Sequence, residues 1–200
     1  MKKSILIIFV FLVLQSFIHA QNEGNIWYFG GNAGLDFNSG VPIALTNSQL
    51  ATAEGSASIA DANGNLLFYT DGVKVWDKLH NIMPNGTGLS GDNSSSQSAI
   101  IVPKPGNPSI YYVFTVEEQG FDSLRYSEID LSLNGGNGAI TSNKNIPIGT
   151  VNPCEKICAV HHQNQSSIWV ITHGATNNSF YAYLVTAAGV SNNPVVSSVG

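Results

Sequence analysis

Residues 63–72 read NGNLLFYTDG. Asn63-Gly64 is a hairpin turn pair, because Gly takes a positive φ without steric cost and Asn tolerates one. A run of apolar and aromatic residues follows, then a polar stop at Asp71-Gly72. Close relatives of this phrase return as PSIYYVFTV at 108–116 and SSIWVITHG at 166–174. The three aromatic-rich runs recur about 45 and then about 57 residues apart. Each is preceded by a small, apolar segment (SASIA, SAIIV or KICAV) and a polar turn (DANGN, PKPGNPS or HHQNQSS). Each is followed by a polar loop and an alternating segment (VKVWD, LRYSEIDLSL or FYAYLVT). Several strands per unit, at a period near 40–50 residues, form the pattern of propeller blades.

The grading within a unit has a physical rationale. A first strand near a central axis lies where neighbouring blades crowd together, and Ser56, Ala57, Ser98 and Ala99 are small enough for that wedge. A second strand covered on both faces reads as an unbroken apolar run. A third strand, partly wetted, alternates. The segments AITSNKNIPIG and NNPVVSSVG would be outer edge strands, where Pro is tolerated because the open side needs no donor. The expected fold is therefore all-β and β-propeller-like. It has about three blades of antiparallel strands over roughly 54–97, 98–153 and 154–200, with residues 25–53 supplying outer or closing strands. The competing architecture is a two-sheet sandwich or barrel. Three units fall short of the four or so blades that a ring needs, so the chain reads as the N-terminal part of a larger propeller.

Only 10% of the 200 residues are charged, against roughly 25% in ordinary soluble domains. Hydrophobic residues make up 43%, enough for a core, and they cluster in short β-branched and aromatic bursts rather than at helical spacing. The N-terminus stands apart. MKK followed by SILIIFVFLVLQSFIHA has the charged and apolar regions of a secretory signal peptide over residues 1–20, with cleavage between Ala20 and Gln21. Its unbroken apolar core, Ile5 to Leu14, is shorter than the about 20 residues a membrane span needs. No transmembrane span is therefore expected in the mature chain. No Cys stands at the cut to take a lipid. Losing Lys2 and Lys3 leaves six basic against thirteen acidic residues, a net charge of −7. No basic stripe remains for nucleic acid.

Cys154 and Cys158 could be bridged after export. In an extended strand, however, residues four apart lie about 13 Å from each other, too far to bridge without a turn. The simpler expectation is Cys154 at the start of a strand and Cys158 as a small buried apolar residue.

Several long strings carry a family resemblance: WYFGGNAGLDFNSGVPIAL, EGSASIADANGNLLFYTDGVKVWDK, MPNGTGLSG, SSSQSAIIVPKPGNPSIYYVFT and FYAYLVTAAGV. Together they resemble the large surface proteins of gliding Bacteroidetes, labelled gliding-motility-associated or type IX secretion (type B sorting domain) proteins. The resemblance covers nearly everything after the signal peptide. It implies an N-terminal propeller-like region followed by further modules and a sorting domain, none of which lies within these 200 residues. It implies no reaction and no catalytic residues. Within it, Asp122-Ser123-Leu124 resembles a short O-glycosylation signal of such exported proteins, with Ser123 as the acceptor.

Candidate chemistry is sparse. Asp61, Asn63 and Asn65 begin like a calcium loop, but the EF-hand pattern needs Gly at its sixth and Glu at its twelfth position. Here Gly64 stands fourth and Gly72 twelfth, so a tight hairpin is the plainer reading. His161 and His162, with His173 and Cys158, suggest metal ligands, yet neighbouring residues of a strand point to opposite faces. Asp71, Glu117 and His173 end, or closely follow, the second strands of their units, which would set them on one face of a propeller. Glu54 and Glu155 precede the first strands of two units, and a carboxylate pair about 5–10 Å apart could cleave a glycosidic bond. No phosphate loop, nucleophile elbow or zinc-protease motif occurs, and no cofactor is expected. The expected function is an exported, non-enzymatic binding or adhesion module for a surface ligand, carbohydrate or protein. The alternatives are a polysaccharide hydrolase or lyase using the acidic residues, and a structural spacer.

Overall fold

The computed structural model describes residues 22–120 and 122–199. The signal peptide and its Ala20–Gln21 cut lie outside the described residues. The described chain forms four antiparallel sheets and no α-helix. Sheet I holds β1 (Ile26–Phe29), β2 (Ala33–Asp36) and β3 (Ile43–Leu45). Sheet II holds β4 (Ala57–Ala60), β5 (Leu66–Thr70), β6 (Lys74–Asp77) and β7 (Ile82–Thr87). Sheet III holds β8 (Ala99–Pro103), β9 (Ile110–Thr115), β10 (Arg125–Asp130) and two short edge strands, β11 (Ala139–Ile140) and β12 (Ile146–Pro147), both paired with β10. Sheet IV holds β13 (Pro153–His161), β14 (Ile168–Gly174) and β15 (Ser179–Thr186), with β16 (Gly189–Val190) and β17 (Val195–Ser198) both on β15.

Within each sheet the strands follow chain order, so each of sheets II to IV is a meander of consecutive hairpins. Those three sheets are the three sequence units. The strands of residues 26–45, by contrast, pair with one another and make a sheet of their own, extended only by an isolated bridge from Gly31 to Ala51. Four sheets therefore stand where three units and an outer strand were expected. Pro84 and Pro147 lie in outer strands, where a missing donor costs nothing.

The hairpin turns of sheet II follow one recipe. Asp61 Oδ1 accepts the N–H groups of Asn63 and Asn65 at 2.8 and 2.9 Å, and Gly64 turns with φ +84°. Asp77 Oδ1 accepts those of Leu79 and Asn81 at 2.8 and 3.0 Å, with His80 left-handed at φ +65°. Both carboxylates are turn-makers, as Asx side chains commonly are. This settles the DANGN segment as a hairpin.

A hydrophobic core lies between each pair of successive sheets. Ile26 and Tyr28 of sheet I meet Ala60, Tyr69 and Trp76 of sheet II, with Leu50 between. Phe68, Val75 and Met83 meet Ala99, Val113 and Ile129. Val102, Tyr112 and Phe114 meet Ile157, Ile168, Val170 and Tyr183. Each fully buried side chain of this size contributes about 1.5–3 kcal/mol of burial free energy. The first strands adjoin in series, β1 to β4, β4 to β8 and β8 to β13. Small residues permit that approach. Ser58 Oγ donates to Ile26 O at 2.7 Å and accepts the Tyr28 N–H at 3.3 Å, while Ser56 Oγ donates to Tyr28 O at 3.1 Å. The free backbone edge of β1 is thereby satisfied by side-chain hydroxyls.

The second strands differ. β5 and β9 become wholly buried towards their C-terminal ends, as the unbroken apolar runs led one to expect. β14 alternates buried and half-buried residues from end to end. One of its faces packs on sheet III and the other has no sheet upon it.

Candidate functional site

The topology brings the nominated residues to one end of the sheets. First strands begin there and second strands end there. Gly55 and Gly72 both pack on Ser98, and Gly120 packs on Pro153 and Ala175. Between the starts of β4, β8 and β13 lies a cleft of about 430 Å³, walled by Glu54, Ser56, Ser96, Gln97 and Ile157 among others.

Glu155 is the best-anchored acid of this end. Its Oε2 accepts the Ser96 N–H at 2.9 Å and the Ser96 hydroxyl at 3.1 Å. Its Oε1 accepts the Gln119 N–H at 3.1 Å. The Ser96 and Gln119 amides hold its carboxyl below the usual glutamate range. Gln97 Oε1 accepts the Ile157 N–H at 3.1 Å, which ties the same two chain segments a second time. Glu54 is exposed and donates only its backbone N–H, to Asn93 O. Glu54 lines the cleft, Glu155 stands behind its Ser96 wall, and the two acids are in unequal states. One carboxylate is saturated by donors and the other is solvated.

Asp71 is buried, 7% exposed, and its Oδ1 accepts the N–H groups of Val73 and Lys74 at 2.8 and 2.6 Å. It makes the β5–β6 turn and presents no free acid to a surface. Glu117 is half-buried in the β9–β10 loop. That loop is braced by Arg125, whose Nε and Nη2 grip Asp122 at 2.8 and 2.9 Å in a two-point fork. This contact holds the Asp122 carboxyl below its ordinary range. Ser123 lies in the same loop, half-buried, with its N–H bonded to Asp122 Oδ1 at 2.7 Å. His173 is half-buried and packs edge-on to Phe180, 4.8 Å between centroids, on the outer side of sheet IV.

The histidines and cysteines do not converge. His162 lies against Trp169 at 5.6 Å and accepts the Asn164 N–H at its Nδ1, while His161 is exposed at the end of β13. Among the described residues no three His, Cys, Asp or Glu side chains gather closely enough to hold a metal ion. Cys154 and Cys158 are both free. Cys154 starts β13 as expected, but Cys158 is exposed, not buried. The reason is positional, since Cys158 pairs with Ile171 on the uncovered face of sheet IV.

The sequence reading missed a polar cluster between sheets I and II. Tyr28 Oη donates to Asn47 Oδ1 at 3.0 Å, Asn47 Nδ2 lies 2.8 Å from His80 Nε2, and Tyr69 Oη lies 3.1 Å from His80 Nδ1. Tyr69 Oη also accepts the Gln49 N–H at 3.1 Å. Burial raises the pKa of both tyrosines. The cluster locks the β6–β7 turn to the chain that joins sheets I and II. His80 gave no motif, because it takes part through a left-handed turn position.

Compared with known proteins, the chain matches no family model, no curated protein and no solved structure. Among the described residues no helix is long and apolar enough to cross a membrane.

Proposed function

We propose that this chain is an exported, non-enzymatic binding module of β-propeller type, with its ligand held at the end where the first strands begin. The serial approach of β1, β4, β8 and β13 supports reading the four sheets as leaves around a shared axis. The N-terminal apolar leader supports export, and the resemblance to gliding-motility-associated surface proteins supports a place on a bacterial cell surface.

The observation that carries the binding reading is the state of the acids around the cleft. Both oxygens of Glu155 and the Oδ1 of Asp71 are spent on backbone N–H groups. A general acid needs a proton it can release, and the Glu155 carboxylate, held ionised by amide donors, is poorly placed to supply one. These acids build loops. The loops leave a cleft lined by Ser56, Ser96 and Gln97 beside the apolar Ala57, Ala99, Ile100 and Ile157, with the exposed Glu54 at its rim. That chemistry suits a hydroxyl-rich ligand, as in a surface carbohydrate.

A glycan array probed with the mature chain, alongside Gln97→Ala and Glu54→Ala, tests this. Retention of defined glycans that weakens on Gln97→Ala supports the reading. Retention unchanged by both substitutions removes the cleft as the site. Reducing-sugar release from a matrix polysaccharide that disappears on Glu54→Gln would replace binding with hydrolysis.

A further inference from the structure

Two loops meet over β15 at the outer rim of the junction between sheets III and IV. One is 148–152, between β12 and β13, and the other is 191–194, between β16 and β17. The Gly149 N–H ties them together by donating to Asn192 Oδ1 at 2.7 Å. Beneath them lies a cavity of about 220 Å³, which shares no residue with the cleft at the starts of β4, β8 and β13. Tyr183 of β15 forms part of its wall. This side chain is fully buried in the core between sheets III and IV, and stands opposite Val170 of β14.

The Tyr183 hydroxyl has no hydrogen-bond partner among the described residues. Buried hydroxyls are normally paired, so an orphan calls for an explanation. Burial raises the Tyr183 pKa, and the group stays a phenol with a proton to donate. Gly149 gives that oxygen its room. A methyl group on Gly149 would collide with Tyr183 Oη, and its left-handed backbone, at φ +64°, independently favours glycine. A single water needs only about 10–15 Å³ of cavity, far less than this one offers. Further polar groups stand unused. The Thr150 hydroxyl and Asn192 Nδ2 make no hydrogen bond among the described residues, and both side chains are exposed at the rim. The half-buried Tyr181, whose Oη accepts from Asn177 Nδ2 at 3.1 Å, and Pro194 add apolar wall. No charged side chain lines the cavity.

We infer that this cavity is a second ligand site, which takes a single neutral sugar unit with the Tyr183 hydroxyl as its innermost donor. The lining decides the chemical class. A bound anion wants a cation beside it and a bound cation a carboxylate, and the wall supplies neither. A wholly apolar guest would leave the phenol orphaned. A pyranose brings oxygens that accept from Tyr183 and Asn192, and C–H faces that rest on Tyr181 and Pro194. The volume lies below the about 300–1,000 Å³ of sites for drug-sized ligands, so it suits one ring and not a chain. The site stands apart from the cleft proposed above and does not rest on what that cleft binds.

Saturation-transfer difference NMR of the mature chain tests the inference, with the methyl pyranosides of glucose, galactose, mannose and N-acetylglucosamine as probes. At least one of them takes saturation from the protein. Tyr183→Phe removes only the phenolic oxygen. In the empty protein it breaks no hydrogen bond, so its melting temperature equals or exceeds that of wild type. Its affinity for the same pyranoside falls about tenfold, the loss expected when a neutral hydrogen bond goes unmade. Gln97→Ala, in the separate cleft, leaves that affinity unchanged. A panel in which no pyranoside takes saturation overturns the inference. So does a Tyr183→Phe variant that binds as wild type does. A Tyr183→Phe melt that falls by several degrees overturns it as well, because the hydroxyl would then have a partner, such as a fixed water, that holds the fold. Binding lost on Gln97→Ala and kept on Tyr183→Phe moves the pyranoside to the cleft, which removes this site and keeps the proposed function. The two readings therefore fail separately.

Discussion

Sheets III and IV have the same strand order, and both end in two short strands on one partner, yet they have different surroundings. Sheet III is sandwiched, with Ile101 and Val113 turned to sheet II and Val102 and Phe114 to sheet IV. Sheet IV is covered on one side only. Its β14 alternates where β9 is buried through four consecutive residues. The local sequence nonetheless writes both faces of both strands as apolar. Strand propensity and pairing are local properties, whereas coverage belongs to the neighbour. The same local structure should therefore carry very different energetic weight in the two places.

The largest expected contrast is between Tyr112 and Trp169, the aromatic residues at equivalent positions. Truncating a fully buried aromatic side chain costs about 3–5 kcal/mol, because the lost burial is joined by a cavity that the surroundings cannot fill. Tyr112→Ala should fall in that range. Trp169→Ala removes a half-buried ring that rests on His162, and should cost about 1–2 kcal/mol. Urea unfolding measures both, with an unchanged slope as the sign that only stability has moved. Equal losses would mean that the outer face of sheet IV is as well covered as that of sheet III.

Two glycines make the next contrast. Gly72 and Gly106 both have left-handed backbones, at φ +86° and +74°. A methyl group at Gly72 would come within 1.9 Å of Ser98 Oγ, which is itself held by the Asp92 N–H. At Gly106 the nearest atom is Ala187 Cβ, 3.6 Å away, an ordinary contact. Gly106→Ala should cost only the backbone strain, about 1–2 kcal/mol. Gly72→Ala adds overpacking to the same strain, for a total of about 2–4 kcal/mol. Matching values from thermal or urea melts would show that Ser98 yields freely, and that the approach of β4, β5 and β8 is loose.

The three main strands of each repeated unit and the outer edges at 139–149 and 192–200 were legible in the sequence because each rests on short-range pattern, whereas β3, β7 and β16 were missed. Asn63-Gly64 announces a turn, and LLFYT, IYYVFT and IWVIT announce central strands. The grouping into successive sheets was legible only as repetition. Sheet I was not legible as a separate sheet. Its strands are three or four residues long, and IWYF reads equally well as an edge belonging elsewhere. The exposure of Cys158 was illegible for another reason, since KICAV has the same character as SAIIV and only the missing neighbour separates them. At the candidate site, position was readable and state was not. Glu54, Asp71 and Glu155 do lie at one end, as strand starts and stops imply. Which acid is free depends on Ser96 and Gln119, which lie 59 and 36 positions from Glu155 and carry no motif.

The smallest contrast sets Glu155 against Glu54: Glu54 precedes β4 as expected, whereas Glu155 lies within the first residues of β13 and not before it. Glu155 gains its partners on folding, so its folded pKa lies below its unfolded one. A depressed carboxyl stabilises the fold fully above the unfolded value, about 4.3 for a glutamate, and loses that contribution as pH falls through the lower folded value. The group is open to solvent, so screening keeps the effect small. Glu155→Gln should lower the melting temperature at neutral pH by about 1–2 °C, and the difference from wild type should fade as pH drops below about 4. Glu54→Gln keeps the backbone bond to Asn93 and breaks no hydrogen bond to its carboxylate among the described residues, so its melting curve should follow wild type at every pH. Melts of the three proteins between neutral and acid pH settle the point. A Glu155→Gln deficit that persists undiminished into acid would mean that the Ser96 and Gln119 bonds depend on shape and not on charge.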